Sequence, residues 1–208
     1  MISHPSPAAE FTDATKGAIP VESENCRFIG VDFSDLVLEG HSFDDCEFRS
    51  CRFDHGSFGG VIFSTCRFDQ CQLTLVSLKH ATLADVEFVG CKLVGVNFSE
   101  CDDLRFSITL NESVLDSVVI FDRRMKGTRI LGCRVRDSEL SGNDLRNADF
   151  SGTTFERTNF SRCNLENADF SSCRGYLIDP STNRLKNAKF SLPEAESFLG
   201  FLGIKLVR

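Results

Sequence analysis

From Phe28 the chain places a large apolar residue at every fifth position. The series runs Phe28, Phe33, Leu38, Phe43, Phe48 and onward to Phe98, fifteen positions that are all Phe or Leu. It slips by two and resumes at Leu110, Leu115, Ile120 and Met125, reaching Phe170 through thirteen apolar positions. Five is neither the period of a helix nor that of a strand. Over so many repeats it would carry an apolar stripe right round a helix, and it would flip a continuous strand from face to face. The pattern instead predicts an all-β solenoid, one pentapeptide to a side with a turn at each corner. Each centre, and the residue two before it, points inward.

Four sides to a coil give twenty residues per turn, and stacking the chain at twenty supports that length. Phe28, Phe48, Phe68 and Phe88 form one column of centres, and Leu110, Ile130, Phe150 and Phe170 form another after the slip. Outside, Arg27, Glu47, Arg67 and Glu87 alternate in sign down a column, as a parallel ladder favours. The twenty-eight centres predict about seven coils, a rod of roughly 35 Å at ~4.8 Å per coil.

The ten cysteines follow the same frame. Cys26, Cys46, Cys51, Cys66, Cys71, Cys91, Cys133, Cys163 and Cys173 each precede a centre by two, and Cys101 precedes Asp103. None has the C-x-x-C spacing of a zinc site. Neighbours in a column would stand ~4.8 Å apart, beyond the ~3.5–4.5 Å between Cβ atoms of a disulfide. They read as small buried hydrophobes in a slot that Ala81, Val86, Ala148 and Ala168 fill elsewhere. No cofactor or metal is expected. No nucleophile–base pair or phosphate loop stands out, so the chain reads as a binding protein and not an enzyme. Arg123 falls in an inward slot, where an unpaired guanidinium is costly, and is expected to bulge or turn outward. His41, the only inward His, reads as a satisfied or edge residue. The slip, residues 99–109, is expected to form a bulge or small loop.

Charge is uneven along the 208 residues, whose net charge is −7. Residues 1–24 carry −3, residues 25–103 carry −7 and residues 104–208 carry +3. Residues 1–24 lack the basic start and apolar core of a signal peptide, and no apolar run is long enough to span a bilayer. A cytoplasmic protein with no membrane association is expected. The acids that would face outward and meet a partner are Asp32, Asp35, Asp44, Asp45, Glu47 and Asp54, with Asp102 and Asp103 in the slip.

Three regions follow. Residues 1–24 are an extension that either caps the first coil or is disordered, and residues 25–190 are the solenoid. Residues 191–208 form a short C-terminal α-helix and tail. There Ser191 and Glu194 have capping-box spacing. Leu192, Ala195, Leu199 and Leu202 recur at helical spacing, while Phe198, Phe201, Ile204 and Leu206 make further faces apolar. A cap uses one face, so these eight residues are expected to join two copies in a homodimer.

The runs Asn147-Ala148-Asp149-Phe150-Ser151 and Asn167-Ala168-Asp169-Phe170-Ser171 resemble the signature of pentapeptide-repeat proteins. That resemblance implies a right-handed quadrilateral parallel β-helix. The tail from Gly175-Tyr176 through Asp179-Pro180 to Asn187-Ala188-Lys189-Phe190-Ser191-Leu192-Pro193-Glu194-Ala195, closing on Leu202-Gly203-Ile204, looks like the Qnr-type quinolone-resistance branch. The branch implies a rod dimerised through its C-terminal helix. The rod mimics DNA, engages DNA gyrase or topoisomerase IV and relieves fluoroquinolone poisoning, without itself binding nucleic acid. Two features depart from it: the slip offers only two extra residues in place of a long projecting loop, and the acids favour the N-terminal half. A scaffold for an unrelated protein, with acids serving solubility, is the alternative.

Overall fold

Most extended pentapeptides end in a corner residue with positive φ, which turns the chain through a right angle. Glycine takes this conformation freely at Gly30 and Gly60 (φ 63° and 66°), but Asp35, Asp45, His55 and Leu75 adopt it too (φ 57°, 51°, 56° and 52°). A non-glycine residue there costs roughly 1–2 kcal/mol. Hydrogen bonds between coils offset that cost, as where Asp35 N donates to Asp54 O at 2.9 Å and Asp45 N to Ser64 O at 3.0 Å.

The computed structural model describes residues 9–12, 19–204 and 207. They form a right-handed, four-sided parallel β-helix of about nine turns with one short C-terminal helix. The first side is a parallel ladder of Ala9–Thr12, Cys26–Ile29, Glu47–Arg49, Arg67–Asp69, Val86–Val89, Ile108–Asn111 and Arg129–Leu131. The second joins Gln72–Thr74, Lys92–Val94, Val114–Asp116, Arg134–Arg136 and Thr154–Glu156. The third is largely single bridges, such as Val119 to Glu139 and Glu139 to Asn159. The fourth has Glu22–Glu24, Ser42–Asp44, Ile62–Ser64 and Thr82–Ala84, then bridges from Arg124 through Asp144 and Asn164 to Arg184.

Turns number about nine and not seven because a further coil forms at each end, through Leu177–Ile178 and Lys189–Phe190 at the C-terminal end and, without the five-residue signal, at the N-terminal end. Phe11 stacks on Phe28 with ring centroids 4.9 Å apart, though the register there is seventeen residues, Ala9 pairing with Cys26. Ser23 holds the buried position that Phe43 takes one coil later. A polar centre and a short coil hid this segment. Parts of residues 1–24 are therefore strands of the solenoid; residues 1–8 and 13–18 lie outside the described residues.

The core is a stack of rings. Phe28, Phe48 and Phe68 lie nearly parallel at 4.9 and 4.7 Å, and Phe43 and Phe63 meet Phe48 edge-on at 5.2 and 5.9 Å. All ten cysteines are unpaired and buried. They do more than fill space. Cys46 Sγ donates to Ser23 O at 3.4 Å and Cys71 Sγ to Phe48 O at 3.2 Å, so these two thiols tie their coils to a carbonyl of the coil below, whereas Cys26 and Cys133 bond within their own coils. Thr153 Oγ1 and Asn143 Nδ2 make the same contact to Ile130 O and Ile120 O at 2.6 and 2.7 Å. The inward slot accepts any small donor that can reach that carbonyl.

At the C-terminal end Gly175 has φ 71°, and a Cβ there would lie 2.2 Å from Phe155 O. The chain turns past this point and Tyr176 fills the core instead, leaving an eighteen-residue register in which Asn159 pairs with Leu177. The expected capping box does not form. Glu194 reaches across the end of the rod to accept from Gly175 N at 3.0 Å, and the segment begins as a 3-10 turn, Glu194–Glu196. Among the described residues only Ser197–Phe201 is α-helical. Phe198 closes the core, edge-on to Phe190 at 4.8 Å and 6.2 Å from Tyr176.

Candidate binding surface

Below the slip, the fourth side is acidic in a way the others are not. Its strands align Glu22 with Ser42, Ile62 and Thr82, and Glu24 with Asp44, Ser64 and Ala84. Asp45 and Asp85 stand at its corner with the first side. Glu100, Asp102 and Asp103 complete it at the slip. None of these strands carries a Lys or Arg. Glu24 and Asp44 are in register on adjacent strands, a like-charge pairing that destabilises a sheet. The neighbouring sides are balanced. On the first, Arg27 Nε bonds Glu47 at 2.8 Å and Arg67 pairs with Glu87. Burial works against Glu47's charge, but the Arg27 and Arg49 guanidiniums hold its carboxyl below the usual range.

The eight acids singled out from sequence therefore divide. Asp44, Asp45, Asp102 and Asp103 lie on or beside the fourth side. Asp32 and Asp54 lie on the second, Asp35 at its corner with the third, and Glu47 on the first. Glu47, Asp54 and Asp103 are engaged within the chain, Asp54 by Arg52 and Asp103 by Arg123, each at 3.4 Å. Glu22, Glu24, Asp85 and Glu100 were missed. Extending the twenty-residue columns one coil below Phe43 would have found the first two.

At the slip, the inserted residues interrupt the fourth side, and the register across it widens to twenty-two, Val86 pairing with Ile108. Asp102 N still bonds Ala81 O at 2.8 Å, and the chain then loops out before Ser107 N rejoins at Leu83 O, also 2.8 Å. Asp103, the nominal centre, is exposed on this loop, while Phe106 turns into the core, 7 % exposed and 6.3 Å from Phe98. Leu104 at the tip is 86 % exposed.

Arg123 neither bulges nor points to solvent. Its backbone keeps the ladder, with Asp144 N bonded to Arg123 O at 2.9 Å, and its side chain is 7 % exposed. The guanidinium runs down into the slip loop. It donates to Ser99 O, to Cys101 O at 2.8 Å and to Asp103 Oδ1 at 3.4 Å, and lies 5.4 Å from the Phe106 ring centre. The loop supplies the carbonyls, the carboxylate and the ring face that let this charge be buried. Arg124 approaches Asp103 from outside at 3.8 Å.

Above the slip the fourth side changes character. Its outward positions include Arg124, Lys126, Arg146, Arg184 and Lys186, and Arg146 makes a two-pronged contact to Asp144 at 2.8 and 2.6 Å.

At the C-terminal end, Ala195, Phe198 and Leu199 are half-buried, and Phe198 packs on its own core. Leu192, Phe201, Leu202 and Ile204 are exposed, the first by 79 %. The predicted contact residue Leu206 lies outside the described residues. Among the described residues no three His, Cys, Asp or Glu side chains gather as a metal site, and no helix is long and apolar enough to cross a membrane.

A four-sided coil of pentapeptides with an apolar centre on each side defines a pentapeptide-repeat solenoid. The chain belongs to that family: a profile described as a pentapeptide repeat region matches residues 41–120, and one for eight copies of the repeat matches residues 126–174. No curated protein matches the chain in sequence. Among solved structures, it is similar to HetL, a pentapeptide-repeat protein involved in heterocyst differentiation regulation in the cyanobacterium Nostoc sp. strain PCC 7120. Identity is 13 %, with 81 % of this chain and 86 % of HetL covered and a TM-score of 0.50. It is also similar to a trypsin-treated form of QnrB1, a plasmid-mediated fluoroquinolone resistance protein. Identity there is 20 %, with 97 % and 96 % covered and a TM-score of 0.49.

Proposed function

We infer that this protein is a non-catalytic binding rod that engages a type II topoisomerase, DNA gyrase or topoisomerase IV, by laying the acidic part of its fourth side in the enzyme's DNA groove. The observation that carries the reading is the in-register stacking of Glu24 on Asp44, with further acids on that side and no basic residue among its strands. Like charges aligned this way cost stability, and a merely soluble surface would intersperse signs. Seven acids from Glu22 to Asp102 span four coil spacings of ~4.8 Å, roughly one charge per 2–3 Å against ~1.7 Å for duplex DNA, while Asp103 is held by Arg123 and Arg124. The Qnr-like tail motif supplies the expectation of which basic groove is met. Engagement of this kind modulates the enzyme and relieves fluoroquinolone poisoning.

Two copies join end to end through Leu192, Phe201, Leu202 and Ile204, which the solenoid leaves uncovered, while Phe198 serves as the cap. Joined this way, the acidic segments lie at the far ends of the rod and the basic segments flank the junction.

The test is purified protein in gyrase supercoiling and quinolone-cleavage assays. Inhibition or protection that weakens with salt is expected. No effect at micromolar dimer overturns the reading. Light scattering on a Leu202→Asp, Ile204→Asp variant should report a monomer with its cap intact; a persistent dimer places the junction elsewhere.

A further inference from the structure

The fourth side runs through nine levels: the strands from Glu22–Glu24 to Thr82–Ala84 make the first four, the slip loop is the fifth, and the bridged residues Arg124, Asp144, Asn164 and Arg184 mark the last four. The slip therefore divides the side evenly, and the two halves carry opposite charge. At the first level Glu22 and Glu24 are exposed, and at the ninth Arg184 and Lys186 are exposed. None of these four is in a salt bridge among the described residues. Each pair brackets a centre, Ser23 or Leu185, so both pairs stand in the same two columns of the side. Leu104, 86 % exposed, is at the tip of the middle level.

We propose that the fourth side pairs with itself: two copies lie antiparallel, face to face, about a twofold axis through the slip. Such a contact is isologous, each half being made twice by the same residues. The axis reverses the order of levels and keeps each column. Glu22 and Glu24 of one copy therefore face Arg184 and Lys186 of the other, at both ends of the pair. Nearer the axis Asp85 comes beside Lys126, and Leu104 meets its own counterpart, an apolar centre within a charged rim. Two oppositions are unfavourable, Asp44 across from Glu166 and Asp102 across from its own copy. Arg146 lies one coil step of ~4.8 Å from the first, and Arg124 one step from the second. A face about 40 Å long and 10 Å wide covers roughly 400 Å² per copy, half of a standard interface. The contact is weak and its attraction is mostly of charge, so it yields to salt or to a more basic groove. The pairing stands on the charge pattern alone. Its consequence rests on the function proposed above: the acids that meet a topoisomerase are covered in the pair, and the enzyme must displace the second copy to reach them.

The test is sedimentation of the full chain carrying Leu202→Asp and Ile204→Asp, which removes the end-to-end junction and leaves the side contact as the route to a dimer. Raising salt from about 0.1 M to about 1 M shortens the screening length from ~10 Å to ~3 Å and should weaken the dimer at least tenfold. Added to that background, Glu22→Lys with Glu24→Lys, or Arg184→Glu with Lys186→Glu, should each weaken association at least tenfold with circular dichroism unchanged. An equimolar mixture of the two should recover it, because every altered end then faces its complement. The proposal is overturned by a background chain that stays monomeric at low salt, or by an association that salt leaves unchanged. Reversals that associate like the background, or a mixture that stays monomeric, overturn it as well. No topoisomerase is present in the assay, so its failure is separate from failure of the gyrase tests.

Discussion

The fourth side of this solenoid is two surfaces on one scaffold. Below the slip it stacks Glu24 on Asp44 and carries no basic residue on its strands; above it, Arg124, Lys126, Arg146, Arg184 and Lys186 share the side with a few acids. The backbone is the same ladder in both, so the difference lies in what the outward positions are for. Above the slip, Arg146 pairs with Asp144 and serves the coil. Below it Glu24 and Asp44 face each other on strands without a basic residue, and the coil bears the repulsion. The slip loop lies at the boundary, and Arg123 fastens it from above.

Arg123→Ala gives the largest expected effect that separates the halves. It leaves the Ser99 and Cys101 carbonyls without their donor and removes the lid on Phe106, so unfolding in urea should report a loss of about 3 kcal/mol. Arg123→Lys should recover less than half, because an ammonium holds its donors on one nitrogen, where the guanidinium spreads them over two and lays a flat face on Phe106. A loss below about 1 kcal/mol would mean that the clasp does not hold the loop. Phe106→Ala should cost about 3 kcal/mol, as a core phenylalanine does. Leu104→Ala, two residues away at the exposed tip, should leave stability unchanged.

Smaller effects of opposite sign sharpen the contrast. Asp44→Asn relieves like-charge stacking and should raise stability by up to about 0.5 kcal/mol. Asp144→Asn breaks the contact with Arg146 and should lower it by roughly 0.2–1 kcal/mol. If both changes act in the same direction, the two surfaces do not differ as described.

Acid sensitivity should show clearly in the upper half. The Ser171 hydroxyl and backbone N–H, with Lys189 at 3.0 Å, hold Asp169 down to about 2. A carboxyl depressed by folding stabilises at pH values above its unfolded value of ~3.9, and that contribution is lost as pH falls toward 2. Thermal melts of Asp169→Asn between pH 4 and 2 should fall less steeply than those of the parent; equal slopes would remove Asp169 from the account.

The solenoid was legible in the sequence because its rule is local: a centre, a slot two before it and a corner. The slot was under-read. Its cysteines looked like apolar plugs, but the shared contact of Cys71, Asn143 and Thr153 to the coil below shows a donor position, which only the stacked geometry reveals. Arg123 was misjudged for the same reason. Burying a guanidinium looked too costly until Ser99 O, Cys101 O, Asp103 and Phe106 were seen to surround it. The acidic surface was half visible. Composition located the acids in the N-terminal part, but counting outward positions without assigning sides mixed Asp44 and Asp45 with the engaged Glu47 and Asp54. Glu22 and Glu24 escaped because Ser23, a polar centre, hid the coil that carries them.

The most direct test reverses charge on one surface at a time. Glu22, Glu24, Asp44 and Asp45 are changed together to Lys, and in a second variant Asp32, Asp35 and Asp54 on and beside the second side are changed the same way. Each is assayed for inhibition of gyrase supercoiling and for its dependence on salt. The account predicts that the first variant loses activity by at least tenfold while remaining folded, and that the second keeps most of it. Equal losses in both, or full activity in the first, would contradict the claim that the fourth side is the surface that binds.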